Sequence, residues 1–437
     1  MAAIGRDRCP NQKTLLILNL LILLLGIPTV SQWLSIPLGN VYFNWGIDIS
    51  IITCLLYLQR KKKFLRPIYV WLIFIEMGVI HGFFMAENYW DWKFLVSNFL
   101  AFHVCLVALV SSSPLYCNRI FTFWYRYGWI LLLLLIPIMG SDGYGKYLSP
   151  YTLVALFFPL LNWKMKILVL IGLVLTLTLA LDSRSDVLKY SLCFLIGALF
   201  GIKHVLYHSK YVVRFLHMTF LLLPFVLSAT AVTGIFNIFS MQEELGIEEH
   251  QIESSDGEMT NALGDTRTFL YVEEIESAIK NNYVLFGRSL ARGYDNVLFG
   301  TNYTDEMKGS HPAERASCEV NILNIFNYMG IVGCIAYFLV LIVASSLAVY
   351  KSRNFYMPIL GFYVSFRWAF GFIEDFTRFD LNMLFLWAMI GMCLSPYFRN
   401  MSNRHFSYWI KTLFSDYRYH ARKKNRKKVA VSASSHL

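Results

Sequence analysis

Charge is scarce in this chain. Only 15% of its 437 residues are Asp, Glu, Lys or Arg, against the roughly 25% carried by soluble domains, while 56% are hydrophobic and 16% aromatic. That balance excludes a soluble globular protein. Cysteine is sparse wherever it could do chemistry. Of the eight present, Cys54, Cys105, Cys193, Cys334 and Cys393 sit in apolar runs and Cys318 alone lies in the long polar stretch, so neither a disulfide framework nor a metal cluster is expected. No internal repeat is visible, which weighs against transporters built from duplicated halves. A Gly-rich phosphate loop and a short Asp-x-Asp pair are missing from the long polar stretch as well, so it offers no nucleotide-binding motif.

What the chain does have is long apolar runs. Leu15 to Pro28, Ile68 to Ala86 and Tyr337 to Val349, with their flanks, reach the length of about 20 residues that a bilayer requires. Runs of this kind define twelve expected spans at 14–36, 40–59, 67–86, 94–113, 119–139, 148–162, 165–181, 187–207, 214–238, 320–350, 355–374 and 381–397. The expected fold is therefore all-α, a polytopic membrane protein with about twelve transmembrane helices. It divides into spans one to nine (1–238), a long loop (239–319), spans ten to twelve (320–397) and a basic tail (398–437).

The formal charge of +11 is placed lopsidedly, and its placement reads topology rather than nucleic-acid binding. Lys and Arg collect in alternate connections: Arg6, Arg8 and Lys13; Arg60 to Lys63 with Arg66; Arg119 and Arg126; Lys164 and Lys166; Lys203, Lys210 and Arg214; Lys351 and Arg353; and the tail from Arg404 to Lys428. The stretch from Ser240 to Cys318 holds fifteen of the 28 acidic residues against six basic ones. The expectation is cytoplasmic termini and an extracytoplasmic loop. The first span is too long for a secretory signal and lacks a well-placed cleavage site.

The loop carries the residues that could do chemistry. Within 265–279, Phe269, Val272, Ile275 and Ile279 recur at helical spacing with carboxylates on the other faces, so the spacing predicts an amphipathic helix. A turn-rich basic segment follows, with Gly287, Arg288, Arg292 and Gly293. Next come His311, Glu314, Arg315 and Glu319, and then Asn321, Asn324 and Asn327 at the start of the tenth span. On the same face, Arg184 opens a span within Asp182-Ser-Arg-Ser-Asp186. A guanidinium at this boundary suits a phosphate, because its planar fork donates two charge-assisted bonds at once; the other reading is an interfacial arginine paired with Asp182 or Asp186. Arg267 has the same two readings, phosphate or Glu274 and Asp265. Arg367, costly inside an apolar run, is either structural or cavity-lining, with Glu374 and Asp375 about two turns away.

Arg184-Ser-Asp-Val-Leu188 fits an R-x-x-x-L motif. With the loop arginine opening a helix, the Gly-rich turn and Gly330-Ile-Val-Gly333, the chain resembles the O-antigen polymerase and ligase superfamily over about two thirds of its length. In the ligases a histidine precedes the first glycine of that pair by eleven residues; here the position is Glu319, with His311 eight residues upstream. Phe366 to Asp375 and Arg399-Asn-Met resemble the polysaccharide polymerases. The resemblance implies a metal-independent glycosyltransferase of the bacterial inner membrane, needing no cofactor. It would polymerise oligosaccharide repeat units carried on undecaprenyl pyrophosphate, with membrane lipid and a chain-length regulator protein as further partners and nucleic acid as none. It also implies pyrophosphate binding by Arg184, Arg267, Arg288 and Arg292, and Glu319 as the catalytic base with His311 as the second choice. The alternatives are an O-antigen ligase acting on lipid A core and a lipid-linked oligosaccharide flippase.

Overall fold

The computed structural model describes residues 11–33, 40–59, 62–135, 138–139, 141–179, 184–201, 203–232, 251–253, 259–261, 268–295, 311, 314–375 and 378–414. Helices come first: α1 (Gln12–Leu24), α2 (Ile27–Trp33), α3 (Val41–Leu58), α4 (Arg66–Met85), α5 (Tyr89–His103), α6 (Val107–Ser111), α7 (Pro114–Leu135), α8 (Ser141–Leu148), α9 (Tyr151–Leu156), α10 (Trp163–Leu179), α11 (Arg184–Phe200) and α12 (Lys203–Val232). The loop supplies two short antiparallel strand pairs, β1 (Gln251–Glu253) with β2 (Met259–Asn261) and β3 (Tyr294–Asp295) with β4 (Glu314–Arg315), on either side of helix α13 (Thr268–Lys280). The chain then forms α14 (Asn321–Tyr350), α15 (Tyr356–Phe370), α16 (Leu381–Leu394), α17 (Pro396–Arg399) and α18 (Asn403–Thr412).

Local sequence explains where several helices start. Asn11, Asn40, Asn88 and Asp380 each cap the following helix, their side-chain oxygens accepting from otherwise orphaned first-turn N–H groups. Among the described residues, six helical stretches are long and apolar enough to cross a membrane: 12–32, 41–58, 63–85, 89–111, 211–230 and 321–350. Their outward faces are greasy. On α4, Val70, Ile73, Met77, Ile80 and Phe84 form an exposed stripe at helical spacing, an arrangement that water disfavours and lipid accepts. The chain is mostly helical and consistent with an all-α, multi-pass membrane protein.

The other apolar runs are helical too, although α10, α11, α15 and α16 have only 14 to 17 residues each. The run expected as one span at 148–162 differs: it is broken into α8, the six-residue α9 and a single 3₁₀ turn at Phe158–Leu160. Pro150 and Pro159 explain the breaks, since proline cannot donate to a helix that continues through it. Every described side chain from Gly143 to Phe157 is buried, so this broken segment packs inside the bundle.

Helix α16 is the centre of the bundle. All fourteen of its residues are buried, which fits a helix hydrophobic all round. At Gly391 it meets α6 closely enough that a Cβ would collide with the Ala108 backbone and the Ser111 side chain, and Ser111 Oγ donates to the Ala388 carbonyl at 3.0 Å. Aromatic contacts among Trp71, Tyr337, Trp368 and Trp387 join α4, α14, α15 and α16.

Helix α14 is kinked at Gly330, whose φ of 66° and ψ of −166° are non-helical. The kink frees the N–H groups of the next residues, and the loop uses them. Ile331 N donates to the Val284 carbonyl at 3.0 Å and Val332 N to the Leu285 carbonyl at 3.2 Å, while Arg288 N donates to the Asn327 carbonyl at 2.6 Å. Gly287 (φ 76°) and Gly330 lie backbone to backbone: a Cβ on either would strike the main chain beside the other. The Gly-rich turn and the glycine pair in α14 are thus two halves of one junction.

Candidate functional site

Polar chemistry gathers where the loop meets the helices, in two centres linked by the turn between α15 and α16. The outer centre is built from the loop. Arg288 donates from Nη1 to Asp295 Oδ1 at 2.7 Å and from Nη2 to Glu314 Oε1 at 2.6 Å. Arg292 donates to the same carboxylate, from Nη2 to Oε1 at 2.6 Å and from Nε to Oε2 at 3.1 Å. The β3–β4 pairing sets this geometry, because it places Asp295 opposite Glu314. His311 bridges onward, with Nδ1 3.3 Å from Arg292 Nη2 and Nε2 3.3 Å from Asp91 Oδ2 on α5.

Three of these groups, Asp91, His311 and Glu314, line a cavity of about 210 Å³ together with Trp90 and Phe94. Asparagines on α14 and α5 hold the loop main chain near it. Asn327 Nδ2 donates to the Arg292 carbonyl at 3.1 Å, Asn324 bonds both the N–H and the carbonyl of Cys318 at 2.8 Å, and Asn98 of α5 donates to the Leu290 carbonyl at 2.8 Å. Each pins a loop main-chain group to a rigid helix.

The inner centre is a buried charge cluster. Lys146 of α8 donates to Glu374 Oε1 at 2.6 Å and lies 3.5 Å from Asp186 Oδ2. Lys189 of α11 contacts Asp186 Oδ1 at 2.5 Å and Glu374 Oε2 at 2.7 Å. Arg367, fully buried beside them, donates to Tyr363 and Asn382. The main chain carries the link outward: Asn321 N donates to the Glu374 carbonyl, and the next residue, Asp375, accepts from Asn324 Nδ2 at 3.0 Å.

The expected site residues fall unevenly on this geometry. Arg288, Arg292 and His311 come together in the outer centre. Arg184 opens α11, about 7.5 Å along the helix axis from Lys189 at 1.5 Å per residue; its side chain lies outside the described residues, as does the whole of Arg267. Glu319 is exposed ahead of α14 and is not among the residues lining the cavity; Glu314 is. Nothing local in the sequence marks Lys146, Lys189 or Asp91: each is a charge at a span end, and Glu374 or His311, which it meets, lies far away in the chain. The sequence marks Glu374 only as a neighbour of Arg367.

Two loop carboxylates are driven in opposite directions. Asp295 is pushed up by partial burial, but hydrogen bonds from Lys280, Arg288 and Asn281 prevail and hold it at about 2. Burial raises the Glu274 carboxyl well above the ordinary range, and the Arg288 guanidinium offsets this only in part. A raised carboxyl binds its proton more tightly when folded, so its contribution is fully present below the unfolded value near 4.5 and is lost as pH climbs toward the folded value. Glu274→Gln should therefore flatten the fall in melting temperature as pH rises above about 4.5. Parallel slopes for wild type and variant would remove Glu274 from the pH response.

Comparison of the chain with known protein families, with curated proteins and with solved structures yields no match.

Proposed function

We propose that this chain is a polysaccharide polymerase, a metal-independent glycosyltransferase that extends a glycan on undecaprenyl pyrophosphate by lipid-linked repeat units at the extracytoplasmic face of the bacterial inner membrane. In this reading the chain crosses the membrane twelve times with both termini cytoplasmic. The observation that carries the proposal is the cavity lined by His311, Asp91 and Glu314, with Trp90 and Phe94 on its wall and Arg292 donating to the lining Glu314. Its volume suits about one sugar ring, and aromatic faces beside charged groups are a common way to hold one.

The transfer breaks the bond between the donor's anomeric carbon and pyrophosphate oxygen and forms one to an acceptor hydroxyl, whose proton must be taken up. His311 is the base we favour over Glu319: Asp91 Oδ2, 3.3 Å from Nε2, orients the ring, and Nδ1 takes the proton once Arg292 Nη2, now 3.3 Å from it, turns to the pyrophosphate. Charge on the departing pyrophosphate is met by Arg184, above the cations of the inner centre, and by Arg292. An apolar cleft of about 580 Å³ between α1, α2, α3 and α7 has room for part of an isoprenoid chain. It reaches Gly128, whose carbonyl accepts from Tyr147, the residue after Lys146. A separate regulator protein would set chain length.

The experiment is the polysaccharide ladder from cells lacking this chain, complemented with wild type or variants. The deletion should leave one repeat unit on the lipid core. His311→Ala should cut extension by about 10²–10⁴-fold, the usual worth of a positioned base, and Arg184→Ala should leave the single-repeat pattern with normal amounts of protein in the membrane. Glu319→Gln should keep a full ladder. Normal polymer from His311→Ala would remove it as the base. His311 on the cavity wall also favours a second reading, the O-antigen ligase, which predicts instead polymer accumulating on undecaprenyl pyrophosphate and a bare core.

A further inference from the structure

Helix α13 is inside out. Its inner face carries Glu273 and Glu274, exposed by only 4% and 0%, with Ser277 and Ala278. Its outer face presents Val272, Ile275 and Ile279, the last exposed by 63%. In water this orientation is the reverse of what an amphipathic helix adopts. Past the exposed polar residues Lys280, Asn281 and Asn282, Leu285 and Phe286 are exposed as well, the latter by 65%.

The main chain fixes the depth of that surface. Ile331 N and Val332 N donate to the carbonyls of Val284 and Leu285, so Leu285 and Phe286 sit level with the first turn below the α14 kink. From that turn Ile331, Ile335 and Leu339 point outward as a stripe of the membrane-crossing helix. On the neighbouring helix, Leu290 packs so closely on Gly78 that a Cβ there would lie 2.5 Å from its Cδ1. Gly78 is seven residues before the end of α4 at Met85, about 10 Å along the axis at 1.5 Å per residue. The loop therefore descends beside α4 and α14 instead of resting above them.

We propose that the segment from α13 to Leu290 is a re-entrant element seated in the bilayer, with Val272, Ile275, Ile279, Leu285 and Phe286 in contact with lipid acyl chains. The occupant follows from depth and exposure: Leu285 and Phe286 sit level with the outward stripe of α14, Val272, Ile275 and Ile279 face the same way out with Glu276, Lys280, Asn281 and Asn282 as a polar edge, and Glu273 and Glu274 are turned inward. Irregular backbone at this depth is tolerable because protein covers its polar groups, and here the α14 kink supplies their partners. One consequence is that the polar centres are bordered by hydrocarbon and can be approached sideways from within the membrane.

Collision measurements on nitroxides test this without reference to activity, and so independently of the polymerase reading. In the full chain, with its native cysteines replaced and reconstituted in phosphatidylethanolamine and phosphatidylglycerol nanodiscs, labels would be placed by Ile275→Cys, Ile279→Cys and Phe286→Cys. Glu276→Cys and Lys280→Cys report the polar flank and Ile335→Cys the lipid reference. The ratio of oxygen to nickel-chelate collisions should be several-fold higher at 275, 279 and 286 than at 276 and 280, and close to that at 335. Equal nickel access at all five loop sites would overturn the proposal, as would exclusion of both reagents from 275 and 279, which means a protein partner covers the face. Should the cysteine-free background fail to fold, p-benzoylphenylalanine in place of Ile279 in the otherwise native chain gives a second readout. Photoadducts to phospholipid support the proposal, and adducts to water or protein alone refute it.

Discussion

Glu374→Ala should cost the folded protein about 3–5 kcal/mol, the usual penalty for stranding a buried charge. Glu374 accepts from Lys146 at 2.6 Å and from Lys189 at 2.7 and 2.9 Å, and both lysine side chains are almost wholly shielded from solvent. Without it, two ammonium groups and the nearby Arg367 guanidinium are left with Asp186 and the more distant buried Asp380 in a water-poor interior. The loss should appear as a lower melting temperature of the purified protein and less chain in the membrane. Adding Lys189→Met should restore part of the stability, because it removes one of the stranded charges instead of adding a contact. A Glu374→Ala protein that melts with wild type would mean that water or another group neutralises the cluster.

Gly330→Ala should unlock the loop at a cost of about 2–6 kcal/mol, combining roughly 1–3 for a backbone region that is essentially glycine-only with a similar range for overpacking. The φ of 66° with ψ of −166° is one part. The other is collision, since the new Cβ would meet the Leu285 carbonyl and the Phe286 nitrogen; these are main-chain atoms that cannot rotate away. Relief requires the turn at 284–288 to lift, which gives up the bonds from Ile331 N and Val332 N. Limited proteolysis should then cut the 283–293 segment faster while the transmembrane core stays intact. Gly287→Ala should do the same from the other side, as its Cβ would strike Tyr328, Met329 and Gly330 backbone. Wild-type protease resistance in both variants would show that the two glycines are not coupled.

Parts of this arrangement were legible in the order of residues. The spacing of Val272, Ile275 and Ile279 gave α13, which runs from Thr268 to Lys280. Periodicity defines two faces but not the medium each one meets; Glu273 and Glu274 turn inward while Glu276 stays exposed. The run at 148–162 looked continuous because its apolar content is uniform; Pro150 and Pro159 divided it. Gly287 and the Gly330 pair were each visible as motifs, yet nothing along the chain joins residues 43 positions apart.

What the sequence determined by itself is what composition and short-range pattern can carry: a greasy chain of helices with one long acidic loop, and a set of arginines and glycines at its edges. The tertiary structure decided which of those residues meet. Lys146 and Glu374 are 228 positions apart, and His311 and Asp91 are 220. Contacts of this kind depend on how helices pack, and many sequences share one hydrophobic pattern while packing decides the neighbours. The kink at Gly330 is the clearest case, because a single φ and ψ value aims the loop's polar groups at the helices and its apolar face outward.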